Sequence, residues 1–324
     1  MILIIGGLGF VGANTARAFL DMGENCVLTQ HRNTHVPAFL RDHVGKRIFI
    51  EPLDILNSDA LLRLGRKYTF TGIVHLATGG LPPGLGANAF ELVKDVQDTL
   101  ATIAAVVQAA HEWNVKRVTI ASAPVVYNGI GELPWRDDQL LPMTAAFSME
   151  VAKKCGEIVS SYLGFHMQVE CVEMRLAAIY GPNYDPTRSG LVGRLVHAAV
   201  KGTQPNLDGI RFGSIYANDG GDQCYIKDAA RGIALLQMAD KISRPVYNIS
   251  SGRSTSNQAV VNAIRQVIPD FEVELPPGHM PGAPEDLWYF DIAKLREDTG
   301  YTPWFTIEAG VADYIDWLRA GNSR

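Results

Sequence analysis

The stretch that decides the fold is ILIIGGLGFVG, residues 2–12. Four apolar residues, Ile2–Ile5, read as a buried strand. Gly6, Gly9 and Gly12 follow at GxxGxxG spacing, and a helical pattern, FVGANTARAFLDMG, begins at Phe10. Each glycine has its own task in such a turn. The first permits the tight reversal, the second lets backbone approach a pyrophosphate, and the third allows helix and strand to pack closely. The helix then presents unpaired N–H groups and the positive end of its dipole to the same place. A glycine pattern alone is a weak signal, but set between a strand and a helix it points strongly to a dinucleotide.

Working outward, short apolar runs alternate with helical patterns. CVLT (26–29), RIFI (47–50), GIVHLA (72–77), RVTIAS (117–122) and QVECVEM (168–174) read as strands, and 88–112 and 143–163 as long helices. Near-continuous apolar strands separated by helices predict a parallel sheet covered on both faces, an α/β, Rossmann-like, doubly wound architecture. After Arg175 the rhythm changes. A helix is expected around 190–201, another over 228–239, a strand over 245–250 and a final helix over 306–318. That last helix opens on Thr306, with Ala309 where a capping box would carry Glu. These boundaries predict a dinucleotide-binding domain over 1–175 plus about 225–250, and a smaller C-terminal substrate-binding lobe from about 176–224 and 251–324.

A chain of 324 residues with 47% hydrophobic and 19% charged residues has ordinary globular composition. Its net charge of −5 gives no basic footprint for nucleic acid. Cys26, Cys155, Cys171 and Cys224 form no CxxC pair, which argues against a zinc site or disulfide framework and for reduced thiols in the cytoplasm. No metal is expected. The first strand begins at Ile2 with no signal peptide before it, and no apolar run is long enough for a membrane span.

At the adenosine end, an acid about 20 residues past the glycines would bind the ribose of NAD. The sequence there reads TQHRN, with Gln30 in the acid's place and Arg32 after it. A neutral amide does not repel a 2′-phosphate and an arginine can pair with it, so the reading favours NADP over NAD. Asp54, with Ile55, follows the third strand and is read either as an adenine contact or as the cap of a helix over 57–67.

The order of motifs resembles the extended short-chain dehydrogenase/reductase family, of the NAD(P)-dependent epimerase/dehydratase type. GGLGFVG resembles its cofactor loop, VHLAT (74–78) its fourth-strand motif, NVKRVTIASAPVVYNG (114–129) its fifth strand and MRLAAIYGP (174–182) its R-x-x-x-x-YGP stretch; DAARGI, YNISSG and AKLREDTGYTP resemble C-terminal landmarks. The resemblance implies a tyrosine that exchanges the substrate's hydroxyl proton, a lysine four residues on, and a strand-five serine or threonine. Here Lys153 stands in MTAAFSMEVAKKCGE (143–157), but the tyrosine position holds Met149, which cannot donate a proton. In the alternative register Lys154 pairs with Glu150. The serine/threonine position holds Ala123, with Ser122 beside it and expected to face the other way. An asparagine and an arginine associated with nucleotide diphosphates are replaced by Ala178 and Gly221.

The expected activity is hydride transfer at a hydroxyl or carbonyl carbon of a small molecule other than a standard nucleotide sugar, as net oxidoreduction or as the transient redox step of an epimerase or dehydratase. The alternative is an NAD(P)-binding sensor or partner protein without redox turnover. Lys153, Met149, Ala123, Ser122, Tyr127 and Thr78 are the catalytic candidates. The cofactor set adds to the glycines Phe10, Val11, Gln30, Arg32, Asp54, Ile55, Leu76, Ala77, Thr78, Lys153 and Ile179. A Gly/Pro loop over 78–86 is expected to cover the nicotinamide. Arg188, Arg194, His197, Arg211, Tyr225, His279, Trp288 and Tyr289 are the weaker substrate-lobe candidates. By the same resemblance, helices 88–112 and 143–163 would pair across a homodimer.

Overall fold

The computed structural model describes residues 1–77, 89–185, 190–210 and 214–322. Its elements in chain order are β1 (Ile2–Ile5), α1 (Phe10–Asp21), β2 (Cys26–Gln30), α2 (Ala38–Arg41), β3 (Ile48–Pro52), α3 (Ser58–Lys67), β4 (Gly72–His75), α4 (Ala89–Glu112), β5 (Arg117–Ser122), α5 (Ser148–Met167), β6 (Glu170–Leu176), β7 (Ala178–Tyr180), α6 (Leu191–Lys201), β8 (Gly220–Gly221), β9 (Gln223–Tyr225), α7 (Ile226–Met238), β10 (Val246–Ile249), β11 (Thr255–Ser256), α8 (Asn257–Val267), α9 (Ala293–Thr299) and α10 (Ile307–Arg319).

Seven parallel strands form one sheet in the order β10-β6-β5-β4-β1-β2-β3. The chain leaves β1 towards β2 and β3, then returns to the other side at β4. A crevice therefore opens past the carboxyl ends of β1 and β4, where such sheets bind ligands. Alternation along β1 builds both layers of the core. Ile2 and Ile4 pack with Phe19, Ile233 and Tyr247 on one face, and Leu3 and Ile5 with Ile73, Val106 and Val118 on the other. A further cluster, with Leu195, Val261, Ile264, Tyr314 and Ile315, joins α6, α8 and α10.

Several boundaries move for local reasons. The helix expected from 143 begins at Ser148, because Phe147 is extended at its N-cap and the Glu150 carboxylate turns back to accept from the Ala146 N–H at 3.0 Å. It runs on to Met167 and stops at Gln168, left-handed at φ 57°, so the sixth strand starts at Glu170 rather than 168. The fourth strand ends at His75, two residues early: Leu76 gives one more N–H to the Ile5 carbonyl at 2.9 Å, and Leu76 and Ala77 then floor the glycine turn. Thr306 caps α10 as expected, its hydroxyl accepting from the Ala309 N–H at 3.3 Å. Among the described residues no helix is long and apolar enough to cross a membrane.

Candidate active site

The turn after β1 is made almost wholly of backbone. Gly6 adopts φ +80°, and a Cβ there would stand 3.1 Å from the Ala77 nitrogen. A Cβ on Gly12 would lie 2.2 Å from the Gly6 carbonyl oxygen, so no side chain fits where α1 crosses β1. The N-cap of α1 is Gly9, which brings no capping side chain, and the first turn, with Phe10 and Val11, carries no acid. The helix start thus keeps its N–H groups and positive dipole end for an outside anion, and the turn fits a dinucleotide pyrophosphate. Two supports escaped the sequence reading. Thr29 Oγ1 accepts from the Gly6 N–H at 3.0 Å, and Gly7 packs so tightly that a Cβ would come within 2.6 Å of Leu28 Cβ. Phe10 stacks on Tyr184, centroids 4.3 Å apart and rings 4° from parallel, tying the turn to the chain beyond β7.

At the other end of the crevice Gln30 closes β2, half-buried, its carbonyl accepting from the Leu53 N–H at 2.8 Å; Arg32 and Asp54 are exposed past the ends of β2 and β3. The helix-cap role for Asp54 is corrected: Asn57 caps α3, accepting from the Ala60 N–H at 3.0 Å, while Asp54 accepts from the nearby Leu56 N–H. Ile55 is buried in the core and offers no open side chain there. Ile179, in β7, is half-buried. Thr78, the rest of the 78–86 loop, Arg188 and Arg211 lie outside the described residues.

Lys153 reaches the sheet edge from α5, its ammonium donating to the Ala121 carbonyl at 2.6 Å. Lys153, Ala121, Ala77 and His75 line one small cavity, so the lysine and the glycine turn share Ala77. Loss of solvent holds the Lys153 ammonium below the usual lysine range, against the opposing pull of Glu173, Glu157 and Asp95. Met149 sits one turn earlier, half-buried, and Ala123 follows β5 with no polar side-chain atom to offer. Lys154 does pair with Glu150, at 2.7 Å, but this pair is turned towards Thr144 and Asn128 rather than β5, which supports the register with Lys153 at the site.

Two candidates are corrected. Tyr127 is fully buried, its hydroxyl donating to Asn248 Oδ1 at 2.8 Å and accepting from Arg175 at 2.8 Å. It stacks on Trp135, and burial pushes its phenol up to about 12, so it belongs to the core rather than to the proton chemistry. Ser122 does point away, as expected, but into a network: its hydroxyl donates to Glu157 at 2.6 Å, and Arg175 clamps the same carboxylate at 3.0 and 2.7 Å.

In the substrate lobe the described candidates are largely structural. His197 is buried against the Tyr314 hydroxyl at 2.9 Å, Tyr225 is buried and bonded to Asp313, Arg194 donates to the carbonyls of Asn206 and Asp208, and His279 pairs with Asp219 at 2.9 Å. Tyr289 uses its carbonyl to accept from the Trp135 N–H at 2.9 Å. Trp288 is different. Its half-buried ring stacks on Trp135 and fills the space over Gly221, where a Cβ would lie 2.2 Å from the indole. Ala178, in β7, has no polar side chain, and its N–H donates to the Asp222 carbonyl at 3.2 Å.

Comparison with known proteins places this geometry among relatives. The family model described as NAD dependent epimerase/dehydratase family matches residues 2–250. The UDP-N-acetyl-alpha-D-glucosaminuronate decarboxylase of Bacillus cytotoxicus is 26% identical over 98% of this chain and 97% of its own. The UDP-glucose 4-epimerase of Thermotoga maritima, solved with UDP-glucose, superimposes with a TM-score of 0.81 at 16% identity, covering 99% of each chain. The UDP-glucuronic acid 4-epimerase of Bacillus cereus, solved with NAD, gives 0.78 at 20% identity, also over 99% of each.

Proposed function

The chain belongs to the NAD dependent epimerase/dehydratase family, and we propose that it transfers hydride at a hydroxyl or carbonyl carbon of a small molecule, with Lys153 carrying the proton that a phenol would otherwise carry. The observation that supports this most is the meeting at Ala77 of the side-chain-free Gly6–Gly12 turn and the Lys153 pocket. The nicotinamide, when bound, supplies or accepts the hydride. Gly6, Gly9 and Gly12 would hold the pyrophosphate, and Gln30, Arg32 and Asp54 would face the adenosine. Lys153 would lie along the nicotinamide ribose, its desolvated ammonium able to give up a proton at the substrate oxygen. Met149 would be an apolar wall beside it. The relatives named above bind NAD or act on UDP-sugars; the lack of a carboxylate at the end of β2 supports a preference for NADP here.

The substrate we propose is not a standard nucleotide sugar. Trp288 fills the position over Gly221, and Ala178 offers no amide, so among the described residues an aromatic face stands where the resemblance implies a cation. We also propose a homodimer through α4 and α5. Ile158, Tyr162 and Phe165 form an exposed stripe on α5, and Phe90 and Val93 are exposed on α4. The four free thiols favour the reducing cytoplasm.

The test begins with binding of NAD(H) and NADP(H), followed by the absorbance of reduced cofactor against alcohols, aldehydes, free sugars and UDP-sugars. Micromolar binding with NADP(H) tighter is the expected result; no binding of either dinucleotide removes the proposal, and turnover of UDP-glucose removes its substrate part. The second reading, a dinucleotide sensor, is favoured by Met149 and Ala123 together, and tight binding with no turnover across the panel would select it.

A further inference from the structure

Glu173 is a carboxyl group in the middle of β6, between fully buried Val172 and Met174, and is itself buried. Its cross-strand neighbours, Ile120 on β5 and Val246 on β10, are apolar. A carboxyl group so placed is costly unless it is bonded or neutral. Among the described residues its side chain has one close partner, the buried Ser160 hydroxyl, 2.5 Å away. The titratable groups around it are Lys153 and Glu157 from α5, Cys171 and Arg175 from β6 and, across the cavity, His75 from β4; Asp95 of α4 acts on Lys153. Burial, helped by Glu157, pushes Glu173 up to about 8, against Ser160, Lys153 and Arg175.

Two cavities meet at this residue. The first, about 10 Å³, is lined by His75, Lys153 and Glu173 among others, and is close to the size of one water. His75 is buried, and among the described residues its Nδ1 has no hydrogen-bond partner, while its Nε2 lies 3.3 Å from Thr102 Oγ1. A water there would find polar groups of three side chains, as many as a buried water ordinarily uses. The second is a groove of about 500 Å³, lined by Glu173, Ser160, Ser161 and Lys154; Ile158 and Tyr162 of the proposed dimer stripe form one wall, and Met143, 85% exposed, stands at the open rim.

We propose that Glu173 is the proton store of the site, exchanging a proton with Lys153 through a water held against His75, and recharging from the groove past Ser160. When Lys153, as the amine, needs a proton, the water gives one to Nζ and takes one from the Glu173 carboxyl. The resulting carboxylate regains its proton from solvent in the groove. The inference rests on the proposed position of the nicotinamide beside Lys153.

The positive nicotinamide ring of the oxidised cofactor favours the carboxylate, so binding should expel the stored proton. Calorimetry of NADP+ and NAD+ binding, in buffers of different ionisation heat around pH 8, counts it. The expected result is a substantial fraction of one proton released per dinucleotide, lost in Glu173→Gln at little cost in affinity. In Glu173→Ala, formate entering by the groove should restore the release. Release undiminished in Glu173→Gln, no rescue by formate, or binding without linked protons in the parent protein overturns the inference while leaving the cofactor reading intact. No binding heat with either dinucleotide overturns both. In the unmodified protein, the carbon-13 resonance of the Glu173 carboxyl should titrate near 8 and shift lower with the cofactor bound; a midpoint in the ordinary carboxylate range also overturns it.

Discussion

The two ends of the crevice are built on different principles. At the β1–α1 turn the working parts are peptide groups, and side chains matter chiefly by their absence at Gly6, Gly9 and Gly12. At the α5 end the candidate groups are side chains: Lys153 is held by the backbone carbonyl of Ala121, Ser122 by Glu157, Glu157 by Arg175, and Arg175 by Tyr127. The first end tolerates no added atom. The second, on the reading proposed above, works without a phenol at Met149 or a hydroxyl at Ala123. The backbone end is fixed by close contacts with Thr29, Leu28 and Ala77, whereas the other end is fixed by bonds between side chains.

The hardest test of that contrast is Lys153→Met. If the network end carries the proton through this one ammonium, turnover should fall by ~10²–10⁴-fold, with dinucleotide affinity, measured separately, much less affected. Unchanged turnover would mean that another group performs the step. Arg175→Met should unfold the protein more readily by about 3–5 kcal/mol in denaturant titrations, because it strands the buried Glu157 charge. Adding Glu157→Gln should recover much of that loss, which would mark the effect as electrostatic. Gly12→Ala probes the backbone end. Its Cβ would collide with the Gly6 carbonyl, so a loss of about 1–3 kcal/mol in stability and weaker dinucleotide binding are expected.

A pH series sharpens the contrast at lower amplitude. Burial raises Glu173 from 4.5 to about 8, so the fold favours its neutral form. That contribution to stability is whole below about pH 4.5, declines as the pH rises through the interval, and is spent above about 8. Melting temperatures of the parent and Glu173→Gln should therefore diverge between these limits, the parent losing ground as pH rises; parallel curves would contradict the assignment. The smallest effect is expected from Gln30→Asp. If the proposed NADP preference holds, a carboxylate at the end of β2 should shift the ratio of dissociation constants towards NAD by roughly tenfold, about 1.4 kcal/mol.

The glycine turn and the central parallel strands were legible because each follows from local pattern, and so was the helix that carries Lys153. The expected roles of Tyr127, His197 and Tyr225 did not survive, because a polar aromatic in a sequence looks the same whether its polar atom meets substrate or a buried partner. Glu173 left a signal that pattern reading passed over: a charge in the interior of an apolar strand, in ECVEM, seldom lacks a partner. Thr29 left almost none, since a threonine in a buried strand is common and only the folded turn shows that it holds Gly6.

What the sequence determined by itself was the periodicity of its elements, the turn that only glycine allows and the absence of a phenol at Met149, since each is a property of neighbouring residues. What the tertiary structure alone decided was the company of Lys153. His75, Glu173 and Asp95 come from β4, β6 and α4 and are drawn together by the stacking of parallel strands under two helices. The charge state of a buried group depends on what surrounds it in space, and that neighbourhood exists only once distant segments have packed.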